Sequence, residues 1–290
     1  MSLKRIIYRI IFLGITILII PALPIMIIFL GISSSKYVIY GTLNMDVSQS
    51  IPAWEIYITF LKNILVFDLG TSTSSGQLVI HELMTALVES SKSIIIALLL
   101  SYTFGTISGV LSAKSRRLKI FWSRSEFIFY IPMIVFSYLF LYFLDFMGIN
   151  FLSNIRYIFA GFILSIYPFY IVTQSMNKTI TEIKNSDYFS FHRSYGFSDE
   201  LIWRKFCKRF VIIDYLSFFE NLLIFMFGFI FFVETPFGIY GIGYKFVMAI
   251  QRFDYPVIIG FCIFSIILFS VISILTETIK IMVDPRVINE

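Results

Sequence analysis

Long apolar stretches alternate along this chain with shorter polar ones. Windows of about 19 residues separate six apolar spans: Ile10–Ile32, Ser93–Ala113, Phe127–Leu144, Ile158–Met176, Val211–Val233 and Val257–Val283. A helix of about 20 apolar residues is long enough to cross the hydrocarbon core of a bilayer. The pattern therefore predicts an all-α, polytopic membrane protein with about six transmembrane helices.

The composition agrees with a membrane location. Hydrophobic residues make up 58% of the chain and charged residues 14%, and the mean hydropathy is +0.86. Such a chain could not stay soluble as a monomeric globule. The first span is longer than the apolar core of a cleaved signal peptide, and no small-x-small site follows it, so we expect this span to be retained.

We expect two parts in the chain. Residues 1–92 hold the N-terminal span and a large outer loop, and residues 93–290 form a five-span core with a cytoplasmic loop at 177–210. Helical spacing in the outer loop predicts a short helix on the membrane surface, formed by Trp54, Tyr57, Ile58, Leu61 and Leu65.

The orientation follows from the basic residues, because cytoplasmic loops retain Lys and Arg during insertion. An inside N-terminus places 17 of the 23 Lys and Arg residues on the cytoplasmic side. The six left outside are Lys36, Lys62, Lys92, Arg156, Lys245 and Arg252. Both termini are therefore predicted to be cytoplasmic. The net charge of +5 reflects this topology, and we infer no nucleic-acid binding from it.

A polar segment, Asp187–Arg209, interrupts the apolar pattern between the fourth and fifth spans. Ser186 and Asp187 are suited to begin a helix, Gly196 to end it in the left-handed conformation, and Ser198 to cap a second helix. Basic residues at 205, 208 and 209 fit the last turn of that second helix. The segment either rests on lipid headgroups as an interfacial helix or docks on a soluble partner.

The fifth span contains two carboxylates, which are expensive inside a bilayer. At 100° per residue, Asp214, Ser217, Asn221 and Gly228 share one face of the helix, with Glu220 at its edge. We predict that this polar stripe lines part of a translocation path. Alternatively, Asp214 pairs with Arg209 and only fixes the helix.

Glycines carry two further predictions. Gly238, Gly241 and Gly243 predict a tight re-entrant turn, which we assign with Glu234 to an outer gate. Gly105 and Gly109 form a G-x-x-x-G pattern in the second span, which favours close packing of helices over a hinge.

Other classes of protein fit less well. The only cysteines are Cys207 and Cys262, so no C-x-x-C metal site is available. The closest match to a protease G-x-S-G motif has the wrong spacing, and both histidines lie outside the spans. A secondary transporter is the main alternative, but no internal repeat is evident. A phosphate-binding G-x-x-x-x-G-K-[ST] motif is absent from the sequence.

Four segments together resemble one family. They are DYFSFHRSYGFS at 187–198, FLKNILVFDLGTS (Phe60–Ser72), VETPFGIYGIGYKFVMAIQRFDYPVIIG (Val233–Gly260) and DPR (Asp284–Arg286). In this order they resemble ABC importer permeases of the oligopeptide, dipeptide and nickel class, of the first permease subunit type. The chain departs from the usual pattern at His192, Ser194 and Tyr195, and where the family has an aromatic-Trp-Pro-Gly turn it has Phe237–Gly241.

This resemblance implies a type I ABC importer permease fold and a non-catalytic subunit in a bacterial cell membrane. Its implied partners are a second permease subunit, two cytoplasmic ATPases and an extracellular solute-binding protein, with lipid around the spans. ATP and Mg would bind the ATPases, and no cofactor or metal would bind this chain. The transported solute would be a peptide or a chelated metal such as nickel. The implied ATPase-coupling residues are Asp187, Tyr188, Phe191, Arg193, Gly196, Phe197 and Ser198.

Overall fold

The computed structural model describes Lys62 and residues 68–148 and 155–283. Ten α-helices, a 3-10 helix and a π-helix make up nearly all of this part. The α-helices are α1 (Val79–Lys114), α2 (Arg116–Arg124), α3 (Met133–Phe146), α4 (Ile155–Asn185), α5 (Asp187–Ser194), α6 (Asp199–Ile202), α7 (Lys208–Phe229), α8 (Phe231–Phe237), α9 (Ile242–Gln251) and α10 (Tyr255–Val283). The single turn of α6 leads through the π-helix, Trp203–Cys207, into α7.

The predicted all-α membrane architecture is confirmed. Among the residues that the structure describes, four helices are long and apolar enough to cross a bilayer, at Val79–Lys114, Ile155–Asn185, Phe210–Phe229 and Tyr255–Lys280. They coincide with the second, fourth, fifth and sixth predicted spans. The first predicted span and the predicted outer surface helix lie outside the described residues.

The third predicted span differs from the prediction, because a proline divides it. A 3-10 helix covers Ser125–Tyr130, and α3 begins only after Pro132, which occupies its N-cap position. Proline disfavours helical geometry in the residue before it, and Ile131 is accordingly extended. The 14 residues of α3 measure about 21 Å, less than the roughly 30 Å of a hydrocarbon core.

The described residues fall into two compact units. One contains residues 90–239 and 273–283, and the other contains residues 68–89 and 240–272. The predicted division between residues 92 and 93 remains a prediction.

In the larger unit, α1 and α4 pack closely. A β-carbon built on Gly105 would lie 2.9 Å from the Val172 side chain, and one on Gly109 would lie 2.6 Å from Met176 Cβ. Val172, Met176 and Leu222 form a buried cluster beside this contact, which brings α7 against the same pair of helices. The packing role predicted for the two glycines is confirmed.

The smaller unit joins a polar turn, the first turns of α1, all of α9 and most of α10. A β-carbon on Gly260 would lie 2.5 Å from Val79, so α10 passes very close to the start of α1. Leu69 and Leu83 line the same contact.

Candidate functional site

The polar segment Asp187–Arg209 begins as predicted. Ser186 is the N-cap of α5, and its Oγ accepts a hydrogen bond from the Phe189 amide at 3.3 Å. Asp187 occupies the first turn, where its negative charge complements the partial positive charge of the helix N-terminus.

A glycine turn follows this helix, also as predicted. Gly196 has φ +84, in the left-handed region, and Ser198 is the N-cap of α6, although its side chain makes no capping hydrogen bond. Across the turn, Arg193 Nε lies 3.6 Å from Asp199 Oδ1. Both side chains are more than half or nearly half exposed, so this ion pair adds little free energy and mainly orients the turn.

The end predicted for the second helix is wrong. The single turn of α6 passes into a π-helix, Trp203–Cys207, and then directly into α7 at Lys208. Lys205 and Lys208 therefore do not stand at a helix C-terminus. The physical reason is that the apolar sequence after residue 209 continues the helix into the membrane, so no terminus forms.

A small core holds the segment to the spans. Phe189, Ile202 and Cys207 are buried together, with Ile183 and Trp203 packed against them. Because Ile183 belongs to α4 and Cys207 directly precedes α7, the segment is fastened to both spans. Burial raises the pKa of the Cys207 thiol, which makes this cysteine a poor nucleophile in the folded protein.

The opposite side of the segment presents an aromatic patch, formed by four exposed side chains: Tyr188 (42%), Phe191 (56%), Tyr195 (69%) and Phe197 (41%). His192 connects this patch to the π-helix that precedes α7. The centroid of its ring lies 4.1 Å from that of Phe206 and 4.5 Å from that of Tyr188. Contiguous exposed aromatic surface is typical of a protein or membrane interface. Of the predicted coupling residues, Asp187, Arg193, Gly196 and Ser198 shape the turn, and the aromatic ones form its outer surface.

In the fifth span the predicted stripe is divided between two environments. Asn221 is exposed, and a β-carbon on Gly228 would meet nothing within 4 Å. Ser217 donates its hydroxyl to the Ile213 carbonyl at 3.0 Å. Glu220, in contrast, accepts a hydrogen bond from Thr276 Oγ1 of α10 at 3.2 Å. The face of α7 that carries Asn221 is therefore exposed in this chain, whereas Glu220 joins α7 to α10 through its hydrogen bond.

Asp214 is half-buried. Among the described side chains no hydrogen bond or ion pair involves its carboxylate. The Arg209 side chain lies outside the described residues, so the predicted alternative of an Asp214–Arg209 pair stays a prediction.

The predicted outer-gate residues occupy two places. Glu234 is fully buried and accepts a hydrogen bond from Ser90 Oγ at 2.5 Å. Gly238, with φ +60, ends α8, and the Ile239 amide returns to the Glu234 carbonyl at 3.0 Å. This is the geometry of a Schellman cap. Arg156 Nη1 donates to the Gly238 carbonyl at 3.0 Å.

The other two glycines belong to α9. Gly241 is its N-cap, and Gly243 is buried in its first turn.

The sequence alone singled out neither Ser90 nor Thr276, because a serine or threonine in an apolar helix ordinarily hydrogen-bonds its own backbone.

The chain resembles known transport proteins over most of its length. Residues 101–289 match the family described as binding-protein-dependent transport system inner membrane component. The dipeptide transport system permease protein DppB of Lactococcus lactis subsp. cremoris is 27% identical over 81% of this chain and 81% of its own length. The oligopeptide transport system permease protein AppB of Bacillus subtilis is 26% identical, with 81% of each chain covered. The DppB protein of Bacillus subtilis is 22% identical over 80% of this chain and 78% of its own.

Proposed function

This chain belongs to the family of binding-protein-dependent transport system inner membrane components, and on that premise we propose that it imports peptides as the first permease subunit of its importer. It is a multi-pass membrane permease of the ABC importer class. The peptide substrate is proposed because the relatives above carry dipeptide and oligopeptide transport in their names.

The observation that carries the proposal is the aromatic patch on the helix–Gly–helix segment. The small core of Phe189, Ile202 and Cys207 fastens this segment to α4 and α7, so a force on the patch moves the spans as a rigid body. We propose that the patch docks on a cytoplasmic ATPase, which binds ATP and Mg and performs all the catalysis. The permease itself then needs no cofactor or metal.

The proposed assembly has five further features. A second permease subunit covers the Asn221 face of α7, and the translocation path runs along this face. A second ATPase serves that subunit, and a solute-binding protein docks outside. We propose that both termini are cytoplasmic, and the distribution of basic residues supports this orientation.

We expect peptide uptake by the complete complex to depend on ATP. Proteoliposomes that contain both permeases and both ATPases, with the solute-binding protein present on the outer side, should accumulate labelled peptide only when ATP is supplied on the ATPase side. A Walker-A lysine variant of the ATPases is the control and should abolish uptake. Uptake driven by an ion gradient, without the ATPases, would contradict the proposal and favour a secondary transporter.

A second prediction concerns the path along α7. Replacing Asn221 by Leu should reduce peptide uptake at least severalfold, because the change removes a polar group from a face that this chain leaves open. Assembly should persist, since the Asn221 side chain is exposed on the surface of this chain and is not part of its buried core. Ile224→Leu is the matched control on the same helix, because Ile224 is 44% exposed and remains apolar. Normal uptake by the Asn221→Leu complex would remove this residue from the path.

A further inference from the structure

The short helix α2 is basic and directly follows the membrane-spanning helix α1. Its nine residues, RRLKIFWSR, include no Asp or Glu. Ser115 separates the two helices, because its φ of −121 and ψ of 116 are extended and end α1. Lys114 and the basic residues of α2 together place five positive charges within 11 positions at the end of a membrane span.

The apolar and basic side chains of α2 lie on opposite faces. At 100° per residue, Phe121, Leu118 and Trp122 fall within an arc of about 100°. The Lys and Arg residues occupy the other side, where Ile120 is the one apolar residue among them. A helix with Lys and Arg on one face and Trp, Phe and Leu on the other is typical of the membrane interface.

Contacts with α4 place α2 at the boundary of the membrane. The Trp122 carbonyl accepts a hydrogen bond from Gln174 Nε2 at 2.7 Å, and the Trp122 ring packs edge-on against that of Phe169 with 5.3 Å between the centroids. Gln174 lies just before Met176, where the fourth predicted span ends, and α2 begins just after Ala113, where the second predicted span ends. The helix therefore lies at the level where two spans end.

Part of the apolar face of α2 is open to its surroundings. Phe121 is 58% exposed and Leu118 is 37% exposed. In the last turn of α1, Leu111 is 50% exposed as well. Apolar surface therefore reaches the end of the spanning helix and appears again on α2, and such surface in a membrane protein is suited to contact with lipid.

The basic face has no ion pair within the described part of the chain. Arg116, Arg117, Lys119 and Arg124 are all exposed. Their positive charges complement the negative charge of anionic lipid headgroups. A protein that covered α2 would have to offer several carboxylates and an apolar surface side by side, whereas an anionic membrane offers both at every point of its interface.

We propose that α2 is a binding site for anionic phospholipid. Its basic face lies among the phosphate groups, and Phe121 and Leu118 lie among the acyl chains next to them. The permease thereby selects the lipid at this position. This property goes beyond the import of a solute, because it concerns the membrane in which the permease works.

Photo-crosslinking at position 121 tests the site. p-Benzoylphenylalanine replaces Phe121 in the full-length chain, and the complete complex is placed in nanodiscs with equal amounts of phosphatidylglycerol and phosphatidylcholine. Mass spectrometry of the crosslinked product identifies the captured lipid. One positive charge near an anionic surface corresponds to about a fivefold preference, so phosphatidylglycerol should exceed phosphatidylcholine by about fivefold or more. The same probe in place of Phe104, which is also 58% exposed but lies within α1, should capture the two lipids about equally.

Charge variants show whether the basic face causes the preference. Arg117→Gln combined with Lys119→Gln should bring the ratio of captured lipids at position 121 close to one. Arg117→Lys combined with Lys119→Arg keeps both charges and should preserve the preference. Lys184→Gln combined with Lys208→Gln removes two exposed positive charges outside α2 and should also leave it unchanged.

Three outcomes would overturn the lipid site. They are equal capture of both lipids at position 121 in the otherwise unchanged chain, an unchanged ratio in the double Gln variant of α2, and a crosslink to an ATPase or a second permease in place of lipid. The last outcome would show that a protein covers α2. The experiment uses neither ATP nor peptide, so a failure of ATP-driven uptake would contradict the proposed function and leave the lipid site standing.

Discussion

Replacing Gly196 by Val is expected to abolish transport while the spans remain inserted. Gly196 has φ +84, and a β-carbon there would meet nothing within 4 Å. The effect therefore arises from the backbone alone: a left-handed conformation costs a residue with a β-carbon about 1–2 kcal/mol, and a β-branched residue more. The turn should relax to another geometry, which moves α6 and the aromatic patch away from the ATPase.

The measurement compares ATPase binding and hydrolysis in purified complexes. We expect Gly196→Val to show weakened ATPase association, or hydrolysis that no longer responds to substrate. Gly196→Asn is the matched control, because asparagine tolerates the left-handed conformation, and it should retain most of the transport. Full ATPase binding and normal stimulation in Gly196→Val would show that the segment is not the coupling element, and an interfacial helix on lipid would then be the better interpretation.

Local features of this segment could be predicted from the sequence, because they depend on neighbouring residues. Ser186 caps α5 and Gly196 ends it through interactions within a few positions. The conformation of the segment between α6 and α7 could not be predicted in the same way. Its π-helix lies where Ile202 and Cys207 pack together with Phe189 in a buried cluster, and no local pattern in the sequence predicts that packing.

Contacts between residues that lie far apart in the sequence could not be predicted either, because no local pattern indicates them. The segments FDLGTS and RFDYP both stand in the sequence, but nothing in either indicates that Ser72 donates to Asp254 across more than 180 positions. Periodicity alone predicts one polar stripe along a face of α7. Only the structure separates Asn221, which is exposed, from Glu220, which is hydrogen-bonded to Thr276.

Replacing Gly109 by Val is expected to prevent the larger unit from folding. The first atom of the new side chain would lie 2.6 Å from Met176 Cβ and 2.9 Å from the Thr173 carbonyl oxygen. Neither neighbour is the flexible end of a side chain, so α1 and α4 would have to separate. Overpacking of a well-packed core typically costs about 1–3 kcal/mol, and separation of the helices would add to this cost.

Separation would also remove hydrogen bonds that join the two helices. Asn177 Nδ2 donates to Ser112 Oγ at 2.5 Å, and Thr173 Oγ1 donates to the Gly105 carbonyl at 3.3 Å. Asn177, Ser112 and Thr173 are buried between the helices, so water does not replace these partners as long as the unit stays packed. The loss of van der Waals contacts and the loss of hydrogen bonds therefore both destabilise the larger unit.

The experiment compares the yield of monodisperse protein in mild detergent by size-exclusion chromatography. Gly109→Val should give severalfold less of it than the wild type. Gly228→Val is the matched control, since it places the same side chain in an apolar helix where a β-carbon would meet nothing within 4 Å, and its yield should be close to normal. Equal yields from the two variants would mean that the contact between α1 and α4 does not determine the stability of this unit.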